Sequence, residues 1–493
     1  MEKMKNKIKE TFLDKNLYIF SMITILFFGV FCIMQYAPDT YSVFATNLTD
    51  IVSHFFSCGR IVTGAALYIV RGLLHIGNYG TYLLSYGFAI LCTIISLYKL
   101  NKLVNQEIKN NVISILISTL IIINPFSIEL FVYIEKGIMV LSVLLCVLAV
   151  EQIKKFFEGN KKSILLALVL MIVANCCYQG TVGLFVAISL LYIIKYSKNI
   201  KEFIVNNVVV ALTYGIPAIL NFILVRFLFT NERVAGEIVL SESIIKMLQG
   251  TKRMLVNTYD LLPKYVFIIV IAILLGFIIY QALKQKISSK KKILEILGAF
   301  YVIAGTLFAT VAPQILQDTN SIWFVARSSY SMAAIIGLLT MYIFMKTEIH
   351  VKMRNAIIVI LVAFLLLQFV SFMSFAIDHY VGNYMDKTVT LEINRLISEY
   401  EEETGKQITE ISIYHDKSIQ YSYPELKASG DMNIKAYSAD WCVPKIIQLY
   451  TGRNLITIEN DEKLKNEFLQ KNWDVFDEEQ IVFQDNILHI CLY

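Results

Sequence analysis

Long apolar runs recur along this chain of 493 residues, and no other feature restricts its fold so strongly. They fall near 17–36, 80–98, 112–124, 137–151, 163–176, 180–195, 205–229, 265–283, 293–315, 329–346 and 356–376. A helix rises 1.5 Å per residue, so roughly 20 apolar residues cross a hydrocarbon layer about 30 Å thick. The chain is 56% hydrophobic and 17% charged, with a mean hydropathy of +0.60. Soluble domains are typically nearer 45–50% apolar and about 25% charged. The reading is an all-α polytopic membrane domain over residues 1–377, with about eleven transmembrane helices, followed by a small α+β domain over 378–493. The first run follows a basic start (Lys3, Lys5, Lys7, Lys9, Lys15). It is too long for the apolar part of a signal peptide and no A-x-A site follows, so it reads as a retained helix.

Charge sets the expected orientation. The residues from Asp378 onward carry 21 acids and 11 bases, about −10, so the +5 of the whole chain leaves about +15 for the membrane part. With the N-terminus inside, the segments MEKMKNKIKE, KLNKLVNQEIK, EQIKKFFEGNKK, KYSKNIK, KQKISSKKK and KTEIHVKMR all face the cytoplasm. With Lys15 they hold 23 Lys and Arg, against 9 in the outer loops, as the positive-inside bias requires. The stretch GRIVTGAALYIVRGLLHIG is apolar but contains Arg60, Arg71 and His75, and it reads as a helix lying at the interface. Counting it as a span would turn every later basic segment outward. With eleven spans and the stretch left at the interface, the acidic tail is extracytoplasmic.

In that tail, MDKTVTLEINRLISEYEEETGK has helical spacing and Gly405 as its stop, and ADWCVPKIIQLYTG reads as a helix with Asp440 near its start. ITEISIYHD, NLITIEN and ILHICLY read as strands. The eight cysteines show no metal-site spacing; Cys442 and Cys491 are a candidate pair that spacing leaves open. No HExxH, GxSxG, P-loop or GxGxxG pattern occurs, no DxD-type metal pair lies in the inner loops, and nothing points to nucleic acid.

Polar groups gather on the expected outer face. Asp39 follows Pro38 just after the first span, in IMQYAPDTYSVF. INPFSIELFVYIEKG supplies Glu129, Glu135 and Lys136, and CCYQG supplies Tyr178 and Gln179. Arg226, Arg60, and Arg327 with Tyr330 complete the set. Singly each has an ordinary reading: a solvated helix end for Asp39, an exposed ion pair for Glu135 and Lys136, headgroup anchors for the arginines. Together they suggest a site, because an ionisable group at membrane depth costs about 2.5–3.5 kcal/mol on insertion scales and normally faces a cavity or a partner. Arginine presents a fixed fork of donors to phosphate, and a carboxylate can take a proton from a hydroxyl. That chemistry suits transfer from a lipid-phosphate carrier.

Four stretches, APDTYSVF…SCGR, NPFSIELFVYIEKGIMVLSVLL, CCYQGTVGLFVAISLLY and YSADWCVPKIIQLYTGRNL, resemble the GtrII-type glucosyltransferase family of bacterial surface-polysaccharide modification. The resemblance implies a GT-C-like architecture in the bacterial plasma membrane. It also implies hexose transfer, with glucose expected, from a polyprenyl-phosphate donor to a cell-surface glycan acceptor outside the cell. The family usually carries two acids after its first span; here Asp39 matches one, and Thr40 stands at the other. Glu135 stands where the family has an aspartate, and Tyr178 and Gln179 match its YQ pair. On this reading Asp39 is the general base, and Glu135 orients its partner or shares with Asp39 a divalent cation, Mg or Mn. Arg327, Arg60 and Arg226 bind the donor phosphate, and Tyr178, Gln179 and Tyr41 contact substrate. The rival reading is a transporter or flippase of a lipid-linked saccharide, which internal repeats and broken helices would favour.

Overall fold

A computed structural model describes residues 14–229, 237–285, 288–346, 349–426, 429, 430 and 432–493. The basic start at Lys3 to Lys9, the beginning of the long loop after Phe229, and Lys286, Ile287, Thr347 and Glu348 of the basic segments lie outside them. The chain forms two compact units. One contains residues up to Cys32, Val52–Phe131 and Glu135–Phe372; the other contains Ile33–Ile51, Val132–Ile134 and Met373–Tyr493.

The first unit is helical. Among the described residues nine helices are long and apolar enough to cross a membrane, or ten if a bent pair counts as one span. This is the composition of a multi-pass membrane protein. The count differs from eleven at two breaks. Asn111–Ile122 and Pro125–Phe131 meet at 57°, and Ser163–Cys177 is a 15-residue helix, about 22 Å long. The helix Ile61–Leu73 is shorter still.

Three elements form the core of this unit: Lys136–Phe157, Gln179–Tyr196 and Arg327–Lys346, with 67, 67 and 83% of their apolar windows buried. Close packing around them uses small residues, as membrane bundles do. A Cβ on Gly183 would sit 2.9 Å from the Ala309 carbonyl oxygen. Hydroxyls of Thr93, Ser118, Thr306 and Thr340 donate to carbonyls one turn back, so no polar group of theirs is stranded in an apolar interior. Asn110 and Asn199 cap the starts of Asn111–Ile122 and Ile200–Ile223.

The second unit contains a small mixed sheet. Strands β1 (Glu410–His415), β2 (Ile456–Thr457), β3 (Ile481–Gln484) and β4 (Ile487–Leu492) lie in the order β2-β1-β4-β3. β1 pairs parallel with β2 and with β4, while β3 and β4 form an antiparallel hairpin whose turn residue Asp485 has φ +54°. Helix Val443–Thr451 starts three residues after Asp440, whose side chain instead accepts from the Trp441 amide. Cys442 and Cys491 are both buried free thiols. One helix, Val351–Thr404, runs unbroken from the last apolar run to Gly405, about 80 Å. No proline interrupts it, so the apolar and amphipathic stretches that read as separate helices are continuous.

Candidate functional site

The two helix breaks in the first unit leave backbone groups unpaired, and polar side chains meet there to satisfy them. At the first break, Asn124 donates to the carbonyls of Ile121 (3.1 Å) and Tyr330 (3.2 Å) and accepts from the Phe126 amide (3.0 Å). The turn that follows, Pro125–Phe131, is buried throughout and carries one acid, Glu129, which is 0% exposed. Its two carboxylate oxygens accept from the backbone amide and the guanidinium of Arg327. At the second break, Thr63 donates to the Cys177 carbonyl (3.1 Å), and Gln179 donates to the Cys58 carbonyl and to Asn221, each at 3.1 Å.

Arg60 is placed by its neighbour. Gly59 has φ +72°, and a Cβ there would lie 2.5 Å from the Asn221 amide oxygen. Asn221 in turn donates to the Gly59 carbonyl (2.8 Å). Only glycine meets both demands. Arg60 then pairs with Glu135 at 3.3 Å, its guanidinium sits 4.8 Å from the centre of the Tyr178 ring, and its buried Nε donates to no group among the described residues.

Arg60, Tyr178, Gln179, Gln314, Arg327 and Ser328 line a cavity of about 140 Å³. Four of them were singled out from sequence, and the fold brings all four together. The arginines keep 22% and 16% of their side chains exposed while their carboxylate partners are almost wholly buried. Each guanidinium is therefore oriented from behind by a carboxylate, with its remaining surface facing the cavity. An anion small enough to lie between two such groups would gain charge-assisted hydrogen bonds from both.

The other candidates lie elsewhere. Asp39 is exposed in the first turn of Pro38–Ala45, and Tyr41 is fully buried with its ring 5.3 Å from Tyr36 and 6.1 Å from Tyr450; both belong to the second unit. Arg226 stands in the π-turn Leu224–Leu228, 5.8 Å from the Phe222 ring, and does not line the cavity. Glu135 and Lys136 are not an exposed pair. Lys136 is 0% exposed, with its ammonium 3.6 Å from the centre of the Tyr82 ring.

These residues do not suit a divalent cation. Among the described residues no three His, Cys, Asp or Glu side chains gather as a metal-binding group, and Glu129 and Glu135 already hold arginines. Sequence reasoning placed Glu129 on this face without a role; its signal was an acid inside an otherwise apolar turn. It missed Gly180, where a Cβ would lie 2.6 Å from the Tyr178 ring and 2.8 Å from the Arg327 carbonyl oxygen. Gly180→Ala is expected to cost about 1–3 kcal/mol through forced displacement of the Arg327 turn. A lowered unfolding midpoint, with every polar side chain intact, would show it.

No family model, curated protein or solved structure matches this chain.

Proposed function

We propose that the arginine-lined cavity binds the phosphate of a lipid-phosphate-linked sugar, and that the protein is a membrane glycosyltransferase moving a hexose from a polyprenyl-phosphate carrier to a cell-surface glycan. The observation that carries the reading is the meeting of Arg60 and Arg327 at one cavity with Tyr178 and Gln179. In glycosyl transfer from such a donor the bond from the anomeric carbon to the phosphate oxygen breaks as the acceptor oxygen bonds to that carbon. The phosphate leaves with an added negative charge, which two fixed guanidinium groups stabilise as it develops. The acceptor hydroxyl gives up its proton to a base, worth typically 10²–10⁴-fold. Glu129 and Glu135 are engaged by arginines. Asp39 is the residue to test, on the strength of the sequence resemblance to the GtrII-type family. The lysine bias supports an extracytoplasmic cavity, and the resemblance to the GtrII-type family supports a bacterial plasma membrane.

The test uses purified protein with radiolabelled polyprenyl phosphate glucose and a cell-wall glycan. Labelled sugar is expected in the glycan or in water, with release cut at least 100-fold in Asp39→Asn. Unchanged turnover in that variant would remove Asp39 from the reaction. A transporter is the second reading, favoured by the broken helix at Asn124. Movement of intact donor between leaflets, without release from glucosyl, galactosyl or mannosyl carriers, would establish it instead.

A further inference from the structure

The core helices of the first unit carry a second polar cavity at their other ends. Gln179–Tyr196 leaves the arginine cavity at Gln179 and reaches Lys195 about 24 Å later; the element that begins at Arg327 ends at Lys346. Lys195, Lys346 and Glu107, with Leu191, Ile194 and Met345, line a space of about 140 Å³. Glu107 is nearly buried, and its two oxygens are both engaged, one by Lys154 at 3.1 Å and one by Lys195. Lys154 also lies 3.8 Å from Glu158, to which the Tyr196 hydroxyl donates (2.8 Å).

Glu107 and Glu158 are thus engaged by Lys154, Lys195 and Tyr196. Lys346 is exposed and makes no ion pair among the described residues. It also borders a neighbouring cleft that contains Glu295 and the Tyr342 ring. Leu191, Ile194, Met345 and the Tyr342 ring make up the rest of the lining. A free anion would leave that lining wet, whereas a phospholipid places its phosphate between Lys195 and Lys346 and its first methylenes along Leu191, Ile194 and Met345. Basic pockets between membrane helices recognise anionic headgroups in this way.

We propose that this cavity is a binding site for the phosphate headgroup of an anionic phospholipid, separate from the arginine cavity and independent of its chemistry. The test titrates phosphatidylglycerol, phosphatidylcholine and inorganic phosphate separately into the purified full chain and counts bound molecules by native mass spectrometry. Phosphatidylglycerol is expected to be retained over phosphatidylcholine. Lys346→Gln should weaken that retention about five-fold, matching about 1 kcal/mol per basic residue near an anionic surface. Adding Lys195→Gln should weaken it again by a similar factor, with Lys154 still holding Glu107. Lys346 is exposed and makes no ion pair among the described residues, so its variant is expected to keep the fold, and an unchanged unfolding midpoint checks this. Equal retention of the two lipids, undiminished retention in the double variant, or inorganic phosphate binding without preference for the lipid would each overturn the assignment.

Discussion

Arg327→Ala is expected to abolish donor binding and to destabilise the protein by about 3–5 kcal/mol, the typical cost of leaving one partner of a buried ion pair alone. The reason is Glu129. Its carboxylate is 0% exposed and accepts from both the backbone amide and the guanidinium of Arg327. Removing the guanidinium takes away the ion-pair partner of a buried carboxylate and leaves it the backbone amide. Heating in detergent with a thiol-reactive dye would show this, because Cys146 and Cys177 are buried free thiols that react only on unfolding. Adding Glu129→Gln should recover most of the unfolding midpoint, since the uncompensated charge is gone, but none of the donor binding. Arg327→Lys separates charge from geometry: it keeps the positive charge and loses the fork of donors. Full donor binding in Arg327→Ala would show that the cavity does not use this residue for phosphate.

The second large effect is a loss of stability in the C-terminal unit as pH rises from about 4 to 7. Asp386 lies beyond the apolar run of the long helix and is 1% exposed. Burial pushes its carboxyl up from an ordinary value near 3.8 to about 7, against the pull of the Tyr423 hydroxyl (2.9 Å), the Ala436 amide (3.1 Å) and Lys435. The folded state therefore holds this proton more tightly than the unfolded chain. Its contribution is fully present below about pH 4, falls as pH climbs to about 7, and is flat above. A shift of this size corresponds to a few kcal/mol. Lys435 acts in the opposite sense. Burial lowers its ammonium to about 8, so its contribution is full above its ordinary 10.5 and declines as pH falls to about 8. Both groups are charged in the folded state only near pH 7–8, where the combined penalty is greatest. Asp386→Asn keeps an acceptor for both donors and cannot titrate. Hydrogen exchange at the β1 amides, corrected for intrinsic rates, should slow from pH 7.5 to 5 in the wild type and lose that slowing in the variant, where burial-lowered His489 on β4 acts in the opposite sense. Equal slopes in the two proteins would exclude Asp386 as the source.

Much of the first unit was legible because its signals are local. Apolar runs longer than a hydrocarbon layer must be helices, and a charge beside such a run must find a cavity or a partner. Arg60, Tyr178, Gln179 and Arg327 stood out for that reason, and all four line one cavity. In the tail, alternation marked β1 and β4, and Gly405, at φ +73°, ends the long helix where the sequence stops it. β3 and helix Glu462–Phe468 escaped notice because both are short and their apolar positions are few.

Partnership across long separations was not legible. Glu129 and Arg327 are 198 residues apart, and nothing local to either names the other. The same holds for Gly59 and Asn221, and for Asp39 and Tyr41, which cluster with residues from Met373 onward and not with the arginines. By itself the sequence determined where helices form, which residues cannot rest against lipid, and that the chain belongs in a bilayer, since backbone pairing and hydrophobic burial act over a few turns. Only the tertiary structure decided which acid orients which arginine, because that choice follows from where broken helices leave unpaired carbonyls and amides and which distant side chains the packing delivers to them.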